Sequence, residues 1–293
     1  MKTSFLLLLL WIAVPSVQAQ DPPGTDILLL TLPRDGTAPH AEDAVKVTDR
    51  AGYDNQPTFT PDGNALLYTS MRDGQTDIYR YFIRAGRHIR LTHTQESEYS
   101  PAVVPDGTGF SVIRVEADGT QRLWRFDLPG DNPTLLFPAL KPVGYQVWGD
   151  EQTVAVFVLG DPPTLQIADL RTGKADTLAQ NIGRSLHRVP GQHAISFVHK
   201  TGPESWWIKQ LNLDTHVLTT LAQTLPGRED YAWHPDGTLL MADGAVLYTW
   251  NRKEGAWKPL ADFSVLGVTD ITRLALSSQG TDLALVVNRP GTP

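Results

Sequence analysis

The sequence has no cysteine, so it can form neither a disulfide framework nor a thiolate zinc site, and an ordinary apolar core must hold it together. Its 293 residues are enough for one. Past the N-terminus no apolar run approaches the roughly 18 residues of a membrane-spanning helix, which excludes a span. Lysine and arginine form no long block and the formal net charge is −7, so a polyanion would release few counterions, and nucleic acid and anionic lipid are not the expected partners. Long amphipathic periodicity at helical spacing is also missing. The sequence contains no G-x-S-x-G elbow, H-E-x-x-H, G-x-x-x-x-G-K-[ST] or G-x-G-x-x-G, which removes the common serine-hydrolase, zincin and nucleotide-binding signatures. "RTGKAD" at 171–176 carries only a Gly-Lys and reads as a hairpin turn. The eight histidines are scattered without helical metal spacing.

What is present begins with "MKTSFLLLLLWIAVPSVQAQD", a single charge at Lys2, an apolar run from Phe5 to Val14, and Val17 and Ala19 around Gln18. This is the layout of a secretory signal peptide over residues 1–19, cut after Ala19. Its loss takes the formal charge from −7 to −8, because Lys2 is its one charge.

The rest is organised by a repeat. "PTFTPDGNALLYTS" at 57–70 returns as "PAVVPDGTGFSVIRV" at 101–115. With Gly63 as a ruler, marks follow at Gly107, Glu151, Gly191, Gly237 and Gly280, at intervals of 44, 44, 40, 46 and 43 residues. Three residues past each mark lies an apolar side chain: Leu66, Phe110, Val154, Ala194, Leu240 and Leu283. A period of about 40–45 residues is that of a four-stranded propeller blade. In the first unit "PTFT", "ALLYTS", "IYRYFI" and "HIRLTH" read as four strands with turns at Pro-Asp-Gly, "RDGQTD" and "RAGR". Second strands such as "TVAVFVL" and "DLALVVN" are almost continuously apolar, as strands covered on both faces should be. In the shorter fifth unit, Asp243-Gly244 is expected as a two-residue hairpin turn.

The sixth mark is followed by one strand only. Residues 26–49 offer what is missing, "DILLLTL" as a third strand and "AVKVTD" as a fourth. The expected fold is therefore all-β, a six-bladed propeller over 20–293 whose last blade is closed by N-terminal strands, since a bare hairpin would leave an open sheet edge.

"LTHTQESEYSPAVVPDGTGFSVIRVEADGTQRLWRFDL", with its Leu-Thr, Ser-Pro, Pro-Asp-Gly, Gly turn and aromatic strand, resembles the WD40-like repeat of the TolB-type propellers. The likeness is good over 53–128 and 230–243 and faint over 140–225. It implies an exported six-bladed propeller serving as a platform for contacts in the bacterial cell envelope. The α/β domain that precedes the propeller in TolB has no counterpart here, so a role in the Tol assembly does not carry over. The repeat also resembles propellers that gate prolyl-oligopeptidase-type peptidases, without the hydrolase domain.

Fourth-to-first connections of a propeller open onto one end of its channel, and loops on a rigid scaffold concentrate binding residues. Alignment on the marks puts Asp54, Asn55, Glu98, Tyr99, Tyr145, Arg184, Glu229, Asp230, Tyr231, Asp270 and Arg273 at that mouth, with His187 on an inner strand. Trp206 and Trp207 fall in one third strand, at least one of them expected between blades. The leading expectation is a non-catalytic scaffold, periplasmic or secreted and monomeric, binding a protein or envelope polymer, without cofactor. The alternative is a divalent-metal-dependent hydrolase or lyase acting at the channel mouth on a small ester or sugar acid, with calcium held by Asp54, Asn55, Glu98 and Asp230.

Overall fold

A computed structural model describes residues 22–33 and 37–288; the signal peptide expected over 1–19 lies outside them. Among the described residues the strands form six antiparallel sheets of four. Blade 1 runs through Asp54–Phe59, Ala65–Arg72, Gln75–Phe82 and Arg87–Arg90. Blades 2 to 5 follow in order, with inner strands Ser97–Val103, Val143–Trp148, Ile182–Arg188 and Tyr231–Trp233. Blade 6 takes its inner pair, Ile271–Leu276 and Asp282–Asn288, from the C-terminal part of the chain and its outer pair, Thr25–Thr31 and Val45–Lys46, from the N-terminal part. Seven residue pairs from Thr25↔Asn288 to Thr31↔Asp282 join the two, so the ring closes as the repeat count requires.

The turns explain why the period survives changes in sequence. The Asp of each Pro-Asp-Gly accepts a hydrogen bond from the backbone N–H two residues on, Asp62 from Asn64, Asp106 from Thr108 and Asp236 from Thr238, at 3.0, 2.9 and 2.8 Å. In blade 3, without that tripeptide, Asp150 does the same for Gln152 at 2.7 Å. The pairs at the turn end are Phe59↔Leu66, Val103↔Phe110, Trp148↔Val154, Arg188↔Ile195, Trp233↔Leu239 and Leu276↔Leu283. The repeating apolar position is thus Ile195 in blade 4 and Leu239 in blade 5, one residue from the Ala194 and Leu240 expected at a fixed offset, because turn length varies. In the fifth unit the closing pair is Asp243↔Val246, so the two turn residues are Gly244 and Ala245, and Gly244 supplies the positive φ of 56°. Asp169↔Lys174 closes a hairpin across "RTGKAD" as expected.

Neighbouring side chains of a strand point to opposite faces, and here each face meets another blade. Leu66 belongs to the apolar cluster between blades 6 and 1, Leu67 to that between blades 1 and 2. Such clusters fill all the gaps around the ring. Burying each such side chain stabilises the fold by about 1.5–3 kcal/mol. In two gaps a tryptophan indole adds a polar link. Trp148 Nε1 donates to Ser111 Oγ between blades 3 and 2, and Trp233 Nε1 to Ser196 Oγ between blades 5 and 4, both at 2.8 Å. Trp206 packs into the gap between blades 4 and 5 beneath Lys200, while Trp207 is half-buried.

Candidate functional site: a channel closed at one end

The inner strands enclose a cavity of about 1020 Å³ on the ring axis. It reaches the first-to-second turns, where Pro61, Pro105, Pro190 and Pro235 edge it. At the other end side chains meet across it. Arg184 of blade 4 grips Asp230 of blade 5 through Nη2 at 2.6 Å and Nε at 3.2 Å. Asp230 also lies 3.7 Å from Arg273 of blade 6, whose Nε donates to Asn55 Oδ1 of blade 1 at 3.1 Å. The Arg273 guanidinium sits 5.3 Å from the ring centre of Tyr145 on blade 3, within cation–π range. Blades 3 and 6 are opposite in the ring, so that contact spans the axis.

β-Bulges accompany Asn55, Tyr145, Arg184 and Arg273, each adding residues to one strand and re-aiming its side chains. Asp230 comes from the loop just before Tyr231–Trp233, whose ladder has no shift. The inner ladders shift register between Asn55 and Thr58, Tyr99 and Ala102, Val143 and Tyr145, Ile182 and Leu186, and Ile271 and Arg273. In blades 1 and 2 the bulge holds a non-glycine residue at positive φ, Gln56 at 55° and Ser100 at 50°. Gln56 Oε1 accepts from Ser100 N and Thr69 Oγ1, both at 2.8 Å, which ties the two bulges together.

Of the residues expected at the mouth, Asn55, Tyr145, Arg184, Asp230 and Arg273 converge at the closed end. Glu229 stands beside them, accepting from Arg184 N at 3.1 Å and Lys200 Nζ at 2.9 Å. Asp270 is paired with Arg228, which also holds Asp243, each at 2.8 Å. Tyr99 is half-buried against the apolar cluster of blades 2 and 3.

Three expected mouth residues are instead interior, because on these strands adjacent side chains alternate between axis and blade. Asp54 is 0% exposed, 3.7 Å from Arg50 Nε, and burial pushes its carboxyl pKa up. Glu98 is also 0% exposed, paired with Arg114 Nε at 3.1 Å and hydrogen-bonded by Thr94, and burial raises its pKa. Tyr231 is buried and donates its phenol to Ser196 Oγ at 2.8 Å. The four oxygen donors expected for calcium occupy separate contacts, Asp54 with Arg50, Glu98 with Arg114, Asn55 with Arg273, and Asp230 with Arg184. Among the described residues no three His, Cys, Asp or Glu side chains gather for a metal ion.

His187 does line the cavity. Its Nε2 is 2.9 Å from Ser185 Oγ, its ring 4.6 Å from that of Tyr231, and desolvation holds its pKa down to about 4. It is neutral at pH 7. Tyr53, absent from the sequence-derived set, belongs to the closed end: burial raises its phenol pKa, Tyr145 and Tyr99 add to the rise, and Arg273 and Arg184 oppose it. The one sequence signal for it was an aromatic residue directly before Asp54-Asn55.

No family model matches the chain. An uncharacterized protein of Agrobacterium fabrum is 28% identical over 153 residues, 46% of this chain and 51% of that protein. The chain thus aligns with about half the length of that relative. Among solved structures, a protein of Agrobacterium tumefaciens described as a TolB superposes with a TM-score of 0.72 at 15% identity, over 92% of this chain and 99% of the other. TolB from Acinetobacter baumannii gives 0.60 at 14% identity, over 92% and 65%. An oligogalacturonate lyase in complex with manganese gives 0.55 at 18% identity, over 85% and 80%. The fold is that of the TolB-type propellers.

Proposed function

From this TolB-type fold we propose that the chain is an exported, monomeric propeller acting as a non-catalytic scaffold in the cell envelope, with its fourth-to-first face binding a protein or an envelope polymer. The observation that carries the reading is the state of the carboxylates on that face. Asp230, Glu229 and Asp270 are each engaged by arginine or lysine at 2.6–2.9 Å, so they brace the ring instead of serving as free general acids or bases. Tyr99, Arg184 and Asp270 are partly exposed there, an aromatic beside charges of both signs, which suits a protein contact. Capture from a periplasmic extract tests this. A partner held by the wild type and lost by Tyr99→Ala with Asp270→Arg supports the reading; equal capture by the altered protein contradicts it. N-terminal sequencing of exported protein should begin at Gln20.

The second reading, a divalent-metal-dependent lyase or hydrolase, draws on the likeness to the manganese-bound oligogalacturonate lyase and on neutral His187 in the cavity. Binding linkage separates the two. A saturable rise in melting temperature with manganese or calcium favours the enzyme; no shift with either favours the scaffold.

A further inference from the structure

The cavity differs in charge from the protein around it. Three of the residues lining it are arginines, Arg184, Arg188 and Arg273, and its lining holds one carboxylate, Asp230. That leaves an excess of two positive charges in a chain of formal net charge −7. Composition therefore does not explain it. Arg184 and Arg273 meet Asp230 at the closed end. Arg188 is exposed toward the open end and makes no ion pair among the described residues. Arg184 and Arg188 lie on one inner strand; at about 3.3 Å per residue, less the shortening of the bulge, they are roughly 10 Å apart. Half-buried Trp233, at the turn end of the next blade and so at the level of Arg188, contributes an apolar wall.

We propose that the cavity is a binding site for a dicarboxylate, one carboxylate seated against Arg273 and Arg184 at the closed end and the other against Arg188 near the open end. The free guanidinium fork of Arg188 matches a carboxylate with two parallel hydrogen bonds. At the closed end Arg184 has Nε and Nη2 on Asp230 and Arg273 has Nε on Asn55, so the carboxylate there meets their remaining N–H groups. Charge decides between oxyanions: two carboxylates neutralise the excess of two, whereas a bisphosphate brings about −3 to −4 and would face Asp230 overcharged. The volume lies at the upper end of the roughly 300–1,000 Å³ of ligand pockets, and low-dielectric walls strengthen the field inside. Two sources share this chemistry, a linear aliphatic diacid and a short oligosaccharide of uronic acids. The site opens at the end opposite the proposed docking face and stands whether or not that face holds a partner.

Thermal unfolding of the full mature chain with azelate, trigalacturonate, neutral maltotriose and fructose 1,6-bisphosphate tests it. The expected result is a saturable rise of about 5 °C or more at a hundredfold excess over Kd with azelate or trigalacturonate. Which of the two binds more tightly identifies the source. Arg188→Glu, at an exposed and unpaired position, should leave the ligand-free melting temperature in place and weaken binding about tenfold or more. The proposal is overturned by no shift with either carboxylate, an equal shift with maltotriose, tighter binding of the bisphosphate, or unchanged affinity in Arg188→Glu.

Discussion

The guanidinium of Arg273 and the ring of Tyr145 face each other at 5.3 Å from blades on opposite sides of the ring. A propeller channel is a pore unless something crosses it, and this pair crosses it. The cavity is blind as a result, and the two ends of the molecule offer different chemistry: paired charges and tyrosines at one, unpaired Arg188 beside apolar turn residues at the other.

Arg273→Ala removes the cross-axis contact and the hydrogen bond to Asn55, and leaves Asp230 with Arg184 alone. The expected cost is about 1–3 kcal/mol, within the usual range for a broken partly buried network. Urea unfolding with unchanged m-value would record it.

Ser196 Oγ receives both Tyr231 OH and Trp233 Nε1 at 2.8 Å. Ser196→Ala orphans two donors at roughly 1–3 kcal/mol each, whereas Trp233→Phe removes one donor and its bond. The first substitution should therefore destabilise more than the second in polar terms, and the double variant should fall short of their sum. A double-mutant cycle measures that shortfall.

The pair Glu98–Arg114 is 0% and 7% exposed at its side chains, and the Arg114 guanidinium also stacks 4.5 Å from the Trp124 ring centre. Glu98→Ala leaves a buried arginine without its main counter-charge, for an expected loss of about 3–5 kcal/mol. Arg171→Ala breaks an exposed pair with Asp169, and its effect should stay within about 0.5 kcal/mol. Equal losses in denaturant titration would contradict the burial of Glu98.

His187 has a folded-state pKa of about 4 against 6.5 for the free side chain, mainly through desolvation. Between those values the unfolded chain binds the proton and the folded one does not, so stability rises with pH across the window and is lost as pH falls from 6.5 toward 4. His187→Gln should flatten that part of the stability–pH curve. An unchanged slope would show that the imidazole is not held neutral.

Much of the fold was legible because blade geometry imposes its period on the chain. Each turn needs an Asp or Gly, and each second strand is sandwiched, so marks and continuous apolar runs recur. Closure followed from counting strands. The slip of one residue at Ile195 and Leu239 arose because turn lengths vary where the tripeptide is lost. The site was half legible. Alignment finds which residues lie near the closed end, but their direction depends on bulges that no composition announces. Asp54 turns into the blade while neighbouring Asn55 reaches Arg273; Glu98 turns inward to Arg114; Tyr53 was passed over. Trp148 and Trp233 are evident as residues, yet their serine partners, Ser111 and Ser196, are 37 positions away in both cases.

Every position assigned here depends on the last sheet being assembled from both ends of the polypeptide. Hydrogen exchange of the Thr25–Thr31 amides tests that most directly. Lying between Asp282–Asn288 and Val45–Lys46, those bonded to either neighbour should exchange as slowly as the amides of the Asp282–Asn288 strand, at the global unfolding limit. Rapid exchange of Thr25–Thr31 beside a protected Asp282–Asn288 would contradict the closed ring.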